Sequence, residues 1–387
     1  MKAVAVTRVH TRRPDAIAAV PAASPPARVA LLGTGTVGTA VIERLAQWAG
    51  TPLGGGVSLV HVANSRRAAS ATLGMAPREA FRVMQNQPRA SRLDQVPIVL
   101  HGDGAQVVVD ATASATVAER HAEWLAQGIH VVTACKLGQG TGLAQWRRIR
   151  AGCLRGNTTY GDSATVGAGL PLLRSIRDLR AGGDRIHAIA GVLSGSLAWL
   201  FNHYDGLRPF SDFVREARDA GYTEPDPRED LSGEDVRRKI LILARSAGVE
   251  LESNEVDVES LVPATLASLA RDDVDAALPL LDTPLRERFA AARKDGCKLR
   301  FIARLENIRD GKGDARVGLE ALPEDHPLAG GAGTDNKVAI WSDRYRVQPL
   351  VIQGPGAGAE VTAAGLLDDV LRIVRRRRAC RSGFNTR

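Results

Sequence analysis

The sequence predicts an α/β fold: a doubly wound parallel sheet in the first part of the chain, followed by a second, α+β domain with a mixed sheet. Three observations predict it. Short apolar runs alternate with helical patterns up to about residue 157, the first run ends in a glycine-rich turn, and strand-like runs between Lys298 and Trp341 follow one another without long helices. Alternating strands and helices are typical of parallel sheets, whereas successive strands suit a mixed sheet.

The elements of the first part are predicted from the spacing of apolar residues. Strands are expected where apolar residues run together, and helices where they recur every three or four positions. The predicted strands are Val29 to Leu32, Val57 to Ala63, Val107 to Ala111 and Ile129 to Ala134, with helices from Val37 to Trp48 and around His121 and Trp146.

The second part begins after Tyr160 and mixes both kinds of element. Strands are expected at Ile186 to Leu193, Leu299 to Arg304 and Val338 to Trp341, and helices through Leu172 and Leu179 and around Phe213 and Ile240. A last amphipathic helix, Val361 to Val374, is expected to pack back on the first domain.

Composition favours a globular protein with two folded units. The chain has 387 residues, of which 44% are hydrophobic and 24% are charged, enough for two cores. The formal net charge of +8 belongs to the ends, because residues 1–27 and 375–387 together carry +9 and leave the body nearly neutral. We therefore expect no nucleic-acid partner, and interpret residues 375–387 as a solvated basic tail.

The sequence also lacks the usual signs of export. No apolar stretch approaches the roughly 18 residues that span a bilayer, and residues 1–27 lack the apolar core of a signal peptide, so we interpret them as a flexible lead-in. The four cysteines, Cys135, Cys153, Cys297 and Cys380, are far apart without a C-x-x-C pair, which favours neither a zinc site nor a disulfide framework. We expect a cytoplasmic protein without a membrane partner.

A G-x-G-x-x-G motif follows the first strand and opens the first helix, the context in which this pattern predicts a dinucleotide site. Gly33 permits the tight turn, Gly35 leaves space for a pyrophosphate, and Gly38 lets helix and strand approach. The helix amides then face the phosphates. The first domain is thus predicted to be Rossmann-type, with Thr34, Thr36 and Val37 as further cofactor-binding residues.

The second strand ends without the acidic residue that binds a ribose 2′-hydroxyl. It continues instead through Asn64, Ser65, Arg66 and Arg67. Because arginine attracts a 2′-phosphate, we expect NADP(H) as the preferred cofactor and NAD(H) as the alternative, with Asn64, Arg66 and Arg67 in the site. The competing interpretation is that these arginines only keep the surface soluble.

Small polar residues and one lysine follow the third and fourth strands. Thr112 and Ser114 come after one, and Cys135 and Lys136 after the other. Ligands of open α/β sheets bind at the carboxyl ends of the strands, so Thr112, Ser114 and Lys136 are predicted cofactor contacts.

The most specific stretch runs from Gly221 through Glu224 and Asp235 to Lys239. Ser232 can cap a helix on which Asp235 and Lys239 lie four residues apart on one face, so that a carboxylate and an ammonium are presented together. Without the surrounding signature, an ordinary helical ion pair would be the favoured interpretation of these two residues.

This stretch resembles the signature of homoserine dehydrogenases. Companion segments at residues 165–171, 194–197 and 354–358 extend the resemblance from about Arg28 to Val374. The family implies NADP(H)-dependent interconversion of aspartate 4-semialdehyde and L-homoserine, a step in threonine, methionine and isoleucine biosynthesis, without a covalent intermediate.

The resemblance also implies roles for individual residues. Lys239 would be the substrate-side acid, and Lys136 would lie where nicotinamide and substrate meet, each able to stabilise the charge that develops on the carbonyl oxygen. Glu224 and Asp235 would bind the substrate ammonium. Further contacts would come from Gly221, Tyr222 and Thr223 for the substrate and from Gly358 for the cofactor.

Two positions depart from the family pattern. Cys135 stands where asparagine is common, and we interpret it as a buried, unreactive thiol rather than a nucleophile. Ser163 stands where an acid often helps to bind a monovalent cation. The main-chain oxygens of Val166, Ala168 and Gly169 could still hold Na+ or K+, and the sequence leaves that question open.

The resemblance implies the domain boundaries. Residues 28–157, completed by 345–374, would bind the dinucleotide, and residues 158–344 would bind substrate and form a homodimer. The end segments are too short for the kinase or regulatory domains of many relatives, so threonine feedback is not expected. The alternatives are another amino-acid oxidoreductase of this architecture and a catalytically silent NADP-binding sensor.

Overall fold

The structure is a computed structural model that describes residues 25–86 and 89–382. Most of the predicted lead-in, residues 1–24, and residues 383–387 of the predicted tail lie outside the described part of the chain. The described strands are β1 Ala27–Leu32, β2 Val57–Ala63, β3 Arg67–Ser70, β4 Arg89–Ala90, β5 Gln106–Asp110, β6 His130–Thr133, β7 Tyr160–Gly161, β8 Ile186–Val192, β9 Val256–Val258, β10 Cys297–Arg309, β11 Lys312–Pro323, β12 Asp335–Ser342 and β13 Leu350–Pro355.

Helices cover both sheets. They are α1 Thr36–Gln47, α2 Ala80–Asn86, α3 Val96–Leu100, α4 Ala115–Ala126, α5 Leu143–Gly156, α6 Leu172–Ala181, α7 Gly195–His203, α8 Phe210–Asp219, α9 Arg228–Leu231, α10 Glu234–Ser246, α11 Ala264–Ala267, α12 Val274–Ala277, α13 Asp282–Lys294 and α14 Ala359–Ser382.

The first sheet has the order β4-β3-β2-β1-β5-β6-β7. Strands β2, β1, β5, β6 and β7 are parallel, and alternate residues of β1 point to opposite faces. Val29 and Leu31 pack in one core with residues of α1 and α14. Ala30 and Leu32 pack in a second core with residues of α4 and α5. Helices on both faces define a doubly wound sheet, as predicted.

The edge of this sheet differs from the prediction. Strands β3 and β4 are antiparallel to their neighbours and were not predicted. The chain turns back after β2 because the Asn64 side chain accepts hydrogen bonds from the backbone amides of Arg66 and Arg67, at 2.9 and 2.8 Å. Such a side-chain turn is typical of asparagine, and it directs β3 back along β2.

The second sheet is mixed, as predicted, with the order β13-β12-β8-β10-β11-β9. The first five strands of this order pair antiparallel, and β9 pairs parallel with β11. A large core that includes Leu299, Phe301 and Ile240 lies between one face of this sheet and its helices. A smaller core that includes Ala190 and Ile302 lies on the opposite face.

The end of the chain divides between the two sheets. Strand β13 pairs with β12 in the second sheet, whereas α14 buries Leu366, Leu367 and Val370 in the core of the first. The predicted segment 345–374 therefore does not belong wholly to the first unit, because its strand is hydrogen-bonded to the second. Helix α14 also continues to Ser382, beyond the predicted end at Val374.

Candidate active site

The glycine-rich turn between β1 and α1 has the shape that a dinucleotide requires. Gly33 has a φ of +99°, and a Cβ there would lie 2.6 Å from the Ala111 carbonyl oxygen, while a Cβ on Gly38 would lie 2.0 Å from the oxygen of Gly33. A Cβ on Gly35 would meet no described atom within 4 Å. Open space therefore remains beside Gly35, where a pyrophosphate would need to approach the backbone.

The start of α1 is also free to bind an anion. Its N-cap residue Gly35 offers no side-chain hydrogen bond, and the first turn carries no acidic residue. The amide groups of this turn consequently lack a side-chain partner and carry the positive end of the helix dipole. These residues fit the phosphates of a dinucleotide.

Asn64 connects the glycine-rich turn with the two predicted arginines. Its amide nitrogen donates to the Thr34 hydroxyl at 3.2 Å, while its oxygen holds the amides of Arg66 and Arg67. Both arginine side chains are exposed. The arginines lie just after the end of β2, with Arg67 as the first residue of β3. They therefore stand where a ribose-binding residue is expected, and no carboxylate occupies this turn.

A cleft of about 1140 Å3 lies at the carboxyl ends of the first sheet and extends to α10 of the second unit. Several predicted site residues line it: Thr36, Val37, Thr112, Lys136, Ala168, Gly221, Tyr222, Thr223, Glu224, Asp235, Lys239 and Gly358. The lining does not include the remaining predicted residues, Gly33, Thr34, Gly35, Gly38, Asn64, Arg66, Arg67, Ser114, Val166 and Gly169. The structure thus brings the predicted substrate and nicotinamide residues into one cavity.

Two lysines share one carboxylate in this cleft. The Lys136 ammonium lies 3.1 Å from Oδ1 of Asp235, and the Lys239 ammonium lies 2.8 Å from Oδ2. Lys239 also donates to the Leu193 carbonyl at 2.7 Å. Asp235 and Lys239 lie four residues apart on α10, which confirms the predicted pairing, whereas Lys136 arrives from the short turn after β6.

The helix that carries this pair begins one residue later than predicted. Its N-cap is Gly233, with a φ of +77°. Ser232 ends the preceding helix α9, where its hydroxyl donates to the Glu229 carbonyl at 2.9 Å, and it accepts a hydrogen bond from the amide of Glu234 at 3.3 Å. The predicted cap at Ser232 is therefore wrong, because a left-handed glycine takes that position.

Burial and the neighbouring charges shift the pKa values of Lys239 and Asp235 in opposite directions. Burial lowers the pKa of Lys239, and the negative charge of Asp235 partly opposes this shift. Burial disfavours the ionised form of Asp235, but the charges of Lys239 and Lys136 outweigh it and hold the pKa of this carboxyl below its ordinary value. The Asp235 side chain is still 44% exposed, since it faces the open cleft. The carboxylate therefore stays ionised and keeps both ammonium groups in place.

The loop that carries the predicted substrate residues is held by a residue without a predicted role. The Asp230 carboxylate accepts the amide of Glu224 at 2.8 Å and the hydroxyl of Ser196 at 2.6 Å. Burial raises the pKa of Asp230, and the hydrogen bond from Ser196 limits this rise. Tyr222 packs against Trp199 with ring centroids 5.5 Å apart. Asp230 lies in the predicted signature, but only its contact with Ser196 on α7 shows what it does.

The two departures from the family pattern have structural explanations. Burial raises the pKa of the Cys135 thiol to about 11, which agrees with an unreactive thiol. Ser163 donates from its hydroxyl to Asp369 at 2.9 Å. Asp162, the neighbouring acid, is buried and bound to Arg177 and Gln139. Neither Ser163 nor Asp162 is therefore free to bind a cation in place of the usual acid.

The described part of the chain adds neither a metal site nor a membrane-spanning helix to this cleft. Among residues 25–86 and 89–382, no group of three or more histidine, cysteine, aspartate or glutamate side chains could hold a metal ion. In the same residues no helix has the length and apolar character needed to cross a membrane.

The fold and the glycine-rich turn define the class of doubly wound α/β proteins with a Rossmann-type dinucleotide-binding domain. Comparison with known proteins narrows this class. Residues 33–152 match the family model described as the NAD binding domain of homoserine dehydrogenase, and residues 171–371 match the model of homoserine dehydrogenase. The chain belongs to the homoserine dehydrogenase family.

Individual proteins of known sequence show the same similarity. The chain is 34% identical over 374 residues to a homoserine dehydrogenase of Emericella nidulans, covering 91% of this chain and 100% of the relative. It is 44% identical over 269 residues to a chloroplastic bifunctional aspartokinase/homoserine dehydrogenase of Zea mays, covering 69% of this chain but 29% of that protein. The chain thus spans less than half the length of the bifunctional relatives that it matches.

A solved structure shows the same fold. The crystal structure of a Candida auris protein of unknown function superposes with a TM-score of 0.83 at 35% identity, over 91% of this chain and 99% of the other.

Proposed function

We propose that the protein interconverts aspartate 4-semialdehyde and L-homoserine, and so serves the biosynthesis of threonine, methionine and isoleucine. One observation carries the proposal: Lys136 and Lys239 both contact Asp235 in a cleft that adjoins the glycine-rich turn. A bound reduced nicotinamide supplies the hydride for the aldehyde carbon.

Lys239 is the proposed proton donor for the oxygen of the aldehyde. Negative charge develops on that oxygen as the hydride arrives, and a nearby ammonium stabilises this charge and then releases a proton to it. Burial lowers the pKa of Lys239, which makes the ammonium a stronger acid than an exposed lysine. The aldehyde thus gains a hydride on carbon and a proton on oxygen and becomes an alcohol.

The substrate ammonium is the proposed partner of Glu224 and Asp235. Glu224 is exposed in the cleft wall, and its backbone is fixed by the hydrogen bond to Asp230. Lys136, on the side of the first sheet, is proposed to orient the reacting carbonyl beside the nicotinamide. Gly221, Tyr222 and Thr223 shape the rest of the substrate site.

The substrate class is tested in the oxidation direction. Purified protein is incubated with NADP and either L-homoserine or 4-hydroxybutyrate, which keeps the carboxylate and the terminal hydroxyl of homoserine but lacks its ammonium. We expect reduction of NADP with L-homoserine only. Turnover of 4-hydroxybutyrate at a similar rate would contradict a site built for an amino acid and favour another oxidoreductase. Cofactor binding without turnover of either compound would favour a silent sensor.

NADP(H) is the proposed preferred cofactor, with NAD(H) as the alternative. The support is local: Arg66 and Arg67 follow β2, both are exposed, and neither forms an ion pair with any described residue. Their guanidinium groups are thus free for a 2′-phosphate.

A monovalent cation and a homodimer remain proposals. The chain turns sharply at Gly167 and Ala168, whose φ angles are +74° and +51°, and the carbonyl oxygens of Val166, Ala168 and Gly169 around this turn are the proposed ligands of Na+ or K+. Strand β13 forms one edge of the second sheet, and its Val351 side chain is 39% exposed. An exposed apolar edge favours pairing with a second copy, which the molecular mass in solution tests.

A further inference from the structure

A buried network of polar groups lies beneath the cleft, at the ends of β5 and β6. At its centre is Asp110, the last residue of β5, whose side chain is fully buried. Its Oδ1 accepts hydrogen bonds from the amide and the hydroxyl of Thr112, at 2.9 and 2.7 Å. Its Oδ2 accepts the hydroxyl of Thr133 at 3.0 Å and lies 3.1 Å from Nε2 of His121. One carboxylate therefore joins the loop after β5, the last residue of β6 and helix α4.

The end of β6 and the loop after β5 both connect Asp110 to residues of the cleft. The Thr133 hydroxyl accepts the amide of Cys135 at 2.8 Å, and Cys135 is the N-cap of the short turn that begins with Lys136. The Thr112 hydroxyl accepts the amide of Ser114 at 3.1 Å, and Thr112 itself lines the cleft. The direction of Lys136 thus depends on Asp110 through Thr133.

The imidazole of His121 lies between Asp110 and Tyr160 and links the two side chains. Nε2 of His121 faces the Asp110 carboxylate, and a hydrogen on Nε2 lets the imidazole donate to it. Nδ1 lies 3.0 Å from the hydroxyl of Tyr160. Burial raises the pKa of Tyr160 well above its ordinary value, so this hydroxyl stays protonated and can donate to Nδ1.

The turn that carries Lys136 also rests directly on this network. A Cβ at Gly138 would lie 2.4 Å from the Tyr160 hydroxyl and 3.2 Å from Nδ1 of His121. The turn therefore has no room to move toward the sheet, and the Thr133 hydroxyl prevents it from moving away. The network fixes the turn from two sides.

We infer that Asp110, His121 and Thr133 are positioning residues that aim Lys136 at the junction of nicotinamide and substrate. The inference rests on the proposed function of Lys136. It assigns a role to side chains that touch neither substrate nor cofactor, because all three lie behind the cleft wall. Their role is to hold an ammonium in place, and a misplacement of about 1 Å costs about a hundredfold in rate.

The test separates positioning from general stability. Thr133→Val removes the hydroxyl that joins Asp110 to Cys135 without changing the size of the side chain, and Thr133→Ser keeps that hydroxyl. We expect Thr133→Val to lower kcat about tenfold or more, with the Kd of the cofactor unchanged within about twofold, and Thr133→Ser to restore most of the loss.

Thr158→Val is the matched control. Thr158 also donates from its hydroxyl within the first unit, to the Leu125 carbonyl at 3.0 Å, but it has no part in the network. We expect Thr158→Val to lower the Tm by about as much as Thr133→Val and to leave kcat unchanged. Equal kcat in Thr133→Val and Thr158→Val, or equal losses in Thr133→Val and Thr133→Ser, would overturn the inference.

A second pair of variants tests the same inference if Thr133→Val does not fold. His121→Leu removes the donor to Asp110, and His121→Gln keeps an N–H donor. We expect a lower kcat in His121→Leu than in His121→Gln, and identical kcat values would overturn the inference. Wild-type protein that turns over neither homoserine nor the semialdehyde would instead contradict the proposed function, so the two failures are distinguishable.

Discussion

Lys136 and Lys239 come from different units of the fold, yet each contacts one oxygen of the Asp235 carboxylate, at 3.1 and 2.8 Å. The pair therefore joins the end of β6 in the first sheet to α10 beside the second sheet. Because one carboxylate holds both ammonium groups, the site concentrates positive charge where the proposed reaction places negative charge on the substrate oxygen. Each part of this arrangement can be tested separately.

Lys239→Ala removes the proposed proton donor. We expect kcat for reduction of aspartate 4-semialdehyde to fall by about a hundredfold or more, the usual contribution of general acid catalysis. The matched control is Lys337→Ala, since Lys337 also donates to a backbone carbonyl, that of Gly330, but lies outside the cleft lining. Steady-state kinetics on both variants check the prediction, and a Lys239→Ala protein with near-normal kcat would rule out the assigned role.

Asp235→Asn should change the pH dependence of the reaction. Lys239 must be protonated to act as an acid, so reduction is lost as the pH rises through the pKa of Lys239. Burial already lowers this pKa, and the charge of Asp235 opposes the shift. Removing the charge lowers the pKa further, and the alkaline limb of the kcat profile should move to lower pH.

The same profile is measured for Asp219→Asn as a control, because Asp219 is an exposed acid at the end of α8. The alkaline limb of the Asp219→Asn profile should coincide with that of the wild type. An alkaline limb in Asp235→Asn that stays in place, or moves to higher pH, would contradict the proposed coupling between Asp235 and Lys239.

Gly35→Ala should weaken cofactor binding without destabilising the fold. A Cβ at this position meets no described atom within 4 Å, so the added methyl group fills only the space that we assign to the pyrophosphate. We expect the Kd of NADPH to rise about tenfold or more, while the Tm stays near that of the wild type. Gly55→Ala is the control, because a Cβ there also meets nothing. Equal NADPH affinity in the two variants would place the pyrophosphate elsewhere.

Replacing Arg66 and Arg67 by serine should reduce the preference for NADP. A hydrogen bond to a charged group contributes about 1.5 to 3 kcal/mol, so we expect kcat/KM for NADPH to fall at least about tenfold and that for NADH to stay nearly constant. Arg78→Ser combined with Arg155→Ser removes the same charge from other exposed sites of the first unit. A parallel loss with both cofactors would show that the arginines do not bind a 2′-phosphate.

Cys135→Ala should retain most of the activity. The thiol is buried and its pKa is raised to about 11, so it is not a nucleophile at neutral pH. We expect kcat within about threefold of the wild type, since the proposed reaction needs no covalent intermediate. A complete loss of turnover in a folded Cys135→Ala protein would point to aldehyde oxidation through a thioester instead.

Local patterns predicted the parts of the fold that depend on neighbours in sequence. The turn at Gly33, the spacing of Asp235 and Lys239, and the apolar strands all follow from short-range rules. Strand β3 was not predicted because Arg67 to Ser70 contains no β-branched or aromatic residue, and its position depends on the side chain of Asn64. The cap of α10 was misplaced because Ser232 and Gly233 both suit a helix start.

The remaining parts of the site depend on contacts between distant segments. Nothing near Lys136 in the sequence predicts that its ammonium lies 3.1 Å from Asp235. Asp230 and Ser196 were recognised as parts of the family pattern, but their hydrogen bond forms only when α7 packs beside α9. Asp110 was placed at the end of a strand, and its partners on β6 and α4 become visible only in the folded chain.

The most direct test of the central claim follows the absorbance of the reduced cofactor after aspartate 4-semialdehyde is added to purified protein, with NADPH and NADH in parallel. We predict rapid oxidation of NADPH, slower oxidation of NADH, and formation of L-homoserine in an amount equal to the cofactor consumed. Binding of either cofactor without its oxidation, in folded protein supplied with the semialdehyde, would contradict the proposed dehydrogenase activity.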